Sequence, residues 1–533
     1  MNVLSIHTSH HGSISISQNN ELIVHTEISR FNKFKYLPWP CDKLFKKINS
    51  LGLEFDVVLF SCLSDNCLSM YDKFFLLKNL NLKPDVKIYV SYDHHLLHAY
   101  CAATFHKKDN YFVWDGNGAE INLEGEFGSE IYSHYNSKFE LMKRDLSTFH
   151  PVDIRDKKTY LSFKNIGIGE AYTGLTRELK LFYYDVFSEG KAMALSTYGQ
   201  FDKKLHDKIF YKEGFNKNYV NLYTIKNQNG DKDKYTIFKE YNTDADNIEA
   251  QNYAHTFQRG IENLGLNIVK NYNIDGSIMF SGGVVQNVLL NTFISKNLKC
   301  DVEFDPICND QGISLGHLNF FLQGNLFRPN HCYLGFQTEY NLNIFDDNFE
   351  IKKGQTLKDV VDIILNEPIA IFQGKSEQGQ RALGNRSLLM NPFHPECLIK
   401  INKIKKREWY RPFACSILFE ELENYFVVDN NRNPEFMMHV FNVKESEKNR
   451  LKNVVAKDGT CRLQAVKKDK NLNFYNLLDF LKKEKNIPLL LNTSLNLPGK
   501  PIVEDLEDLK DMMIESNLNY AWLPDVNVLI KRN

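Results

Sequence analysis

Two histidines four residues apart, His94 and His98, stand in Asp93-His94-His95-Leu96-Leu97-His98-Ala99, just after an apolar run that reads as a strand. On a helix that spacing puts both imidazoles on one face, where they can grip one metal ion. The zinc-protease pattern H-E-x-x-H is excluded, because His95 stands where that pattern needs a glutamate base. Two acids extend the set. Asp115 ends the run Tyr111-Phe112-Val113-Trp114 at a glycine-flanked turn, and Asp310 follows the run Asp301 to Phe304. Two imidazoles and two carboxylates suit Fe(II), Mn(II) or Zn(II) without choosing among them. Taken singly, each residue also has an ordinary reading: paired surface histidines, or aspartates that cap helices at turns.

Two glycine turns lie beside these residues in the chain. One is Asp115-Gly116-Asn117-Gly118, the other Ser281-Gly282-Gly283-Val284-Val285-Gln286-Asn287. Glycine lets backbone amides approach a phosphate or an adenosine closely, although a glycine turn is most often just a turn. Neither stretch matches the P-loop or the dinucleotide fingerprint.

The elements that must position these residues alternate in type. Val3–Ile6 and two following runs that flank Asn19-Asn20 read as a strand and a β-hairpin. Further apolar strands are expected at 55–60, 86–90, 111–114 and 277–280, the last before a helix-like stretch through 289–293. Strands alternating with helices predict an α/β protein. With 533 residues, two domains are expected, with a connection after about residue 325 and a second α/β unit opening near Pro368-Ile369-Ala370-Ile371-Phe372. The Lys-, Asn-, Asp- and Tyr-rich stretch of about 200–240 reads as a solvated insertion.

Composition bounds the class. Apolar residues make up 43% and charged residues 25%, an ordinary globular mixture, and a net charge of -1 gives no overall field to draw in nucleic acid. The 10 cysteines, among them Cys41, Cys62, Cys67, Cys101, Cys300 and Cys415, include no C-x-x-C pair and read as reduced thiols of a cytoplasmic protein. The start of the chain lacks the pattern of a signal peptide, and no apolar run has the length of a membrane helix.

The order hairpin, HxxxH, DGxG, Glu189-Gly190-Lys191-Ala192-Met193-Ala194-Leu195 through Tyr198-Gly199, GGVxxN and Asp310-x-Gly312 resembles the N-terminal part of the NodU/TobZ/CmcH carbamoyltransferase family. Gln378-Gly379-Gln380-Arg381-Ala382-Leu383-Gly384-Asn385-Arg386-Ser387 is similar to that family's GPRALGxRS motif. Lys405 to Ala414 resembles KxREPFRPFAP, Asp458 to Gln464 resembles DGTARxQ, and Leu491 to Ile502 resembles LNTSFNxxGEPI. The resemblance covers nearly the whole chain and departs at Gly12, Gln380 and Lys500, where the family has aspartate, proline and glutamate.

This resemblance implies an actin/Hsp70-like (Kae1-like) domain over 1–340 and a smaller α/β (YrdC-like) domain over 341–533. It implies ATP and carbamoyl phosphate as substrates, with Mg accompanying ATP, and an O-carbamoyltransferase that passes through carbamoyl adenylate. Arg381, Arg386, Lys405, Arg411 and Arg462 would hold the phosphates, guanidinium forks suiting such oxygens, and Asn492 would add an amide donor. Gly116, Gly118, Lys191, Gly282, Gly283 and Asn287 would hold the adenylate. The metal on His94, His98, Asp115 and Asp310, Fe(II) or another divalent transition ion, would polarise the carbonyl under attack. His11 matches the family's N-terminal histidine and would be the base for the acceptor hydroxyl, with His10 beside it as the alternative. The acceptor is expected to be a small molecule such as a sugar, nucleoside or natural product, and a homodimer is compatible with the family. Two other readings compete: a tRNA threonylcarbamoyl transferase, which shares the first-domain motifs but has no use for the arginine-bearing half, and a non-catalytic actin/Hsp70-class nucleotide-binding module.

Overall fold

The computed structural model describes all residues apart from 36–38, 63–74, 117, 124–125, 156–157, 182–187, 213, 217–219, 227–231, 239–243 and 430. Cys67 and Asn117 thus lie outside the described residues. Strands and helices alternate as an α/β protein. Two compact units arise: Met1–Phe60 with Leu68–Tyr89 and Asn325–Asn533, and Ser61–Cys67 with Val90–Gly324. This division differs from the expected 1–340 and 341–533, because the N-terminal strands bond to segments far along the chain. Leu22 N donates to Phe327 O at 2.9 Å, His25 N to Leu334 O at 2.8 Å, and the Lys375 ammonium to Ile23 O at 2.8 Å.

In the unit centred on Val90–Gly324, a nine-stranded sheet carries three adjacent strands, Asn110–Trp114, Ile278–Ser281 and Val302–Phe304, all parallel. All five residues of Asn110–Trp114 are buried, as expected of a strand covered on both faces. Because the three run the same way, the turns after them open at one edge, the usual place for a site in a parallel sheet. The helix His94–Phe105 packs close to the helix Ile313–Phe321. A Cβ on Gly316 would come within 1.9 Å of Leu97 O, so this position admits glycine alone at that approach. Within the 200–240 stretch, Val220–Lys226 and Lys232–Phe238 pair antiparallel, and Val220–Lys226 also pairs with Lys158–Lys164 of this sheet.

The other unit holds the N-terminal five-stranded sheet, with Asn2–His7 between Ser13–Gln18 and Phe55–Ser61, and a ten-stranded mixed sheet. In the latter, Ala370 and Phe372 join the core on one face while Ile369 and Ile371 join the core on the other, the period-two alternation of a central strand. Arg386–Met390, Leu489–Ser494, Ala414–Leu418 and Thr460–Val466 are consecutive neighbours in this sheet. Each leads into or out of one of the four sequence motifs of the second half, so motifs separated by up to about a hundred residues lie side by side. Among the described residues no helix is long and apolar enough to cross a membrane, and nine cysteines are free.

Candidate functional site

His94 and His98 occupy the first two turns of the helix His94–Phe105, and both are buried. Asp115 and Asp310 come from the turns after two strands of the parallel trio, and the four side chains converge, with ligand atoms all within 4.8 Å of one another. His94 Nε2 lies 3.0 Å from Asp115 Oδ2 and 3.6 Å from Asp310 Oδ1. His98 Nε2 lies 3.6 Å from each of the same two oxygens. Donors ~2.0–2.2 Å from one ion and roughly a right to tetrahedral angle apart would be ~3.0–3.5 Å from each other. The four His–Asp separations of 3.0–3.6 Å match within a few tenths of an ångström, and the imidazole-nitrogen, carboxylate-oxygen donor set suits a divalent transition metal.

The electrostatics describe the same centre. Burial alone would lower the His98 pKa, but the Asp115 and Asp310 carboxylates facing it raise it to about 9. Burial would raise the Asp115 pKa, yet His94 and His98 hold it well below the usual carboxylate range. His95 on the other side of the helix behaves differently. Burial keeps it neutral, and its Nδ1 lies 2.8 Å from Ser133 Oγ.

Both glycine turns meet on Asp115. Its Oδ1 accepts from Gly116 N at 2.7 Å and Gly283 N at 3.1 Å, which leaves Oδ2 to face the histidines. Gly282 has φ +96°, and a Cβ there would sit 2.3 Å from Trp114 O. The turns therefore orient a carboxylate, which is a task the sequence reading did not assign to them. Gly118 packs over His95, while Lys191 is buried on the short helix Glu189–Leu195. Asn287 caps the helix Val288–Asn297 through Leu290 N, and its amide donates to Gln258 Oε1 at 3.0 Å.

In the other unit, Arg381, Arg407, Arg411 and Arg462 are half-buried and close enough to disturb one another. Burial first, and then the neighbouring guanidiniums Arg381, Arg407 and Arg411, push the Arg462 pKa well down. Burial and Arg411 lower Arg407 to about 9. Glu408 pairs with Arg411 at 3.1 Å. Arg407 was absent from the expected set, although it stands in the same motif as Lys405 and Arg411.

Three other expected phosphate ligands are placed differently. Arg386 is fully buried, donates to Gln373 O, Asn385 O, Thr338 Oγ1 and Glu504 O, and stacks on Phe372 with its guanidinium carbon 3.8 Å from the ring centre. Lys405 Nζ donates to Ser494 O at 2.6 Å, Asn496 O at 2.5 Å and Asn496 Oδ1 at 2.8 Å. Asn492 Nδ2 donates to Ser416 Oγ at 2.8 Å and Ala382 O at 3.1 Å. These three side chains bind the motif loops to one another. Lys500, one of the departures from the family pattern, pairs with Glu515 at 2.6 Å.

His11 is buried in the turn between Asn2–His7 and Ser13–Gln18 with φ +59°, and its Nδ1 lies 3.5 Å from Glu27 Oε1. Glu27 stands opposite Ser13 in the hairpin register, so the strand pairing brings it to His11. Burial would raise the Glu27 pKa, and His11 and Arg30 lower it on balance. Glu27 was not foreseen; the hairpin register carried the signal for it.

Comparison with known proteins gives the class to which this α/β chain belongs. The model of the carbamoyltransferase N-terminus matches residues 42–317 and that of the carbamoyltransferase C-terminus matches 361–531. The chain belongs to the carbamoyltransferase family and is an enzyme of that class. It is 32% identical over 375 residues to the uncharacterized protein MJ1051 of Methanocaldococcus jannaschii, covering 67% of this chain and 71% of that one. It is 34% identical over 259 residues to the nodulation protein NolO of Bradyrhizobium diazoefficiens, covering 45% of this chain and 47% of that one. It is 36% identical over 141 residues to the 3'-hydroxymethylcephem-O-carbamoyltransferase of Amycolatopsis lactamdurans, covering 26% of each. Among solved structures, the activator of 2-hydroxyisocaproyl-CoA dehydratase from Clostridium difficile overlaps with a TM-score of 0.33 at 12% identity, over 61% of this chain and 96% of that one, a likeness too slight to define the fold. The family assignment displaces the reading as a non-catalytic nucleotide-binding module.

Proposed function

We propose that this enzyme is an ATP-dependent O-carbamoyltransferase that makes carbamoyl adenylate and passes its carbamoyl group to a hydroxyl of a small molecule. The observation that carries this reading is the arginine group Arg381, Arg407, Arg411 and Arg462. Guanidiniums this close repel one another, Glu408 forms its ion pair with Arg411, and phosphate-rich ligands would offset the remaining charge. Carbamoyl phosphate and ATP are such ligands. With one water consumed, they give carbamoyl adenylate, phosphate and pyrophosphate. Lys405, Asn492 and Arg386 shape this site by fixing the loops that present the guanidiniums. In the family's terms the unit with the arginines contains the YrdC-like domain, and the unit with the His₂Asp₂ set is the Kae1-like, actin/Hsp70-class domain.

In the second step the acceptor oxygen attacks the carbamoyl carbon, a C–O bond forms, and AMP leaves. His11 takes the hydroxyl proton, and Glu27 beside its Nδ1 steadies the imidazolium that results. His94, His98, Asp115 and Asp310 would hold Fe(II), Mn(II) or Zn(II), which supplies a Lewis acid for the carbonyl. Asp115 is oriented for this by the Gly116 and Gly283 amides. The name of the cephem O-carbamoyltransferase relative supports a small-molecule hydroxyl as acceptor; the site leaves its identity open.

Pyrophosphate release from ATP tests the first step. It should require carbamoyl phosphate and should vanish in Arg381→Ala. Release at the same rate without carbamoyl phosphate, or undiminished in the variant, refutes the adenylate route.

A further inference from the structure

Between the Gly282 turn and the Asp310 carboxylate stands a residue that none of the chemistry above uses. Cys308 O accepts from Gly282 N at 2.8 Å, Asp310 belongs to the His₂Asp₂ set, and Asn309 lies between them in the chain. Asn309 is 2% exposed, and neither its Oδ1 nor its Nδ2 has a hydrogen-bond partner among the described residues. It occupies the N-cap position of the short turn Asp310–Gly312, yet its side chain caps nothing. The loop does not depend on it either. Asp305 Oδ1 accepts from Ile307 N at 2.9 Å, Asp305 Oδ2 accepts from Ser281 Oγ at 3.0 Å, and Gly312 N bonds the backbone oxygen of Asn309.

Asn287 shows what a structural asparagine does in the same unit, since its oxygen caps a helix and its amide pairs with Gln258. A buried carboxamide with both ends idle is costly, and buried polar groups in native proteins nearly always find partners. A whole side chain left idle next to a ligand set is therefore the mark of a partner that arrives with the substrate.

The chemistry of the side chain names that partner. A primary carboxamide presents one acceptor and two donors in a plane. A carbamoyl group presents the complementary pattern, a carbonyl oxygen beside an NH₂, so the two can exchange a pair of antiparallel hydrogen bonds. An acetyl group matches the carbonyl but has a methyl where the NH₂ should be, and would leave Asn309 Oδ1 buried and unpaired. We propose that Asn309 recognises the carbamoyl group of the activated donor and thereby sets the enzyme's preference for carbamoyl over acyl transfer. This rests on the reading of the donor as a carbamoyl adenylate.

The test uses two stable probes, adenosine 5′-sulfamates carrying either an N-carbamoyl or an N-acetyl group, which differ by NH₂ against CH₃. Binding is measured by calorimetry on the full-length metal-loaded enzyme, so no acceptor is needed. The wild-type protein should prefer the carbamoyl probe by on the order of tenfold to hundredfold, the factor that corresponds to leaving one buried polar group unpaired. Asn309→Leu, which is similar in size and has no polar atoms, should bind both probes equally while keeping its metal content. Its thermal stability without ligand should equal or exceed that of the wild type, because an idle polar group has been removed from the interior. Asn309→Ala should lose the preference in the same way and guards against a misfit of leucine. A preference that survives in both variants overturns the proposal, and so does a clear loss of stability in the leucine variant, which would make Asn309 a structural residue. If neither probe binds the wild-type enzyme, the adenylate reading itself fails and the role of Asn309 falls with it.

Discussion

Asp115→Asn separates the chemistry of the His₂Asp₂ centre from its architecture. The substituted side chain keeps its shape and one oxygen, which can still accept from Gly116 N and Gly283 N, so both glycine turns should stay in place. What changes is the other arm. The oxygen 3.0 Å from His94 Nε2 and 3.6 Å from His98 Nε2 becomes an uncharged NH₂ that cannot ligate a cation. Altering a partner behind a metal ligand typically weakens binding by 10–100-fold. Losing a ligand itself should exceed that range, so ~100-fold, or about 2.7 kcal/mol, is a lower bound. At a metal concentration about 1,000 times the wild-type dissociation constant, the metal stabilises the wild type by about 4.1 kcal/mol; at the same concentration the variant gains about 1.4 kcal/mol or less. Chelator competition gives the affinities, and thermal melts with and without metal give the stabilisation. A variant that binds the ion as tightly as the wild type, with the same thermal response, would show that these four side chains are not a metal centre.

Two further outcomes follow from the same structure. Because the folded pKa of His98, about 9, lies above its unfolded value near 6.5, its stabilisation of the metal-free protein is complete below about pH 6.5 and is lost as pH rises through about 9; metal loading should flatten that dependence, and melts across pH 6–10 in His98→Ala should lack it. Lys405→Met leaves Asn496 O without its donor at ~1–3 kcal/mol and removes one of the two donors to Ser494 O, so it should lower thermal stability, whereas Arg462→Met relieves repulsion among four guanidiniums and should raise stability while abolishing pyrophosphate release; the reverse ordering in melts would overturn the division between the cation that fixes loops and the cations proposed to face phosphate.

The local pattern of the chain was enough to place most of the elements that build the site. The expected runs at 111–114 and 277–280 are the strands Asn110–Trp114 and Ile278–Ser281, and His94 does open a helix. These signals are local, because burial on both faces demands continuous apolar residues and a strand's end must be followed by a turn. The i, i+4 spacing of His94 and His98 is likewise a property of the helix alone. The order of the motifs was sufficient for the family.

Relations between distant segments were not legible. Nothing in the spacing of Arg381, Arg407, Arg411 and Arg462 says that these form one group while Arg386 turns into a cage of carbonyls; the strand order of the ten-stranded sheet decides it. The same holds for Asp115, whose two oxygens are divided between glycine amides and histidines once Asn110–Trp114 and Ile278–Ser281 run side by side. Residue type thus fixed what chemistry each side chain can perform, and the neighbours that packing delivers fixed which of these capacities is spent on holding the fold. Hydrogen bonds and charges act over a few ångströms, so a side chain's task depends on what lies within that distance, and in a folded chain that is set by strand order rather than by sequence separation.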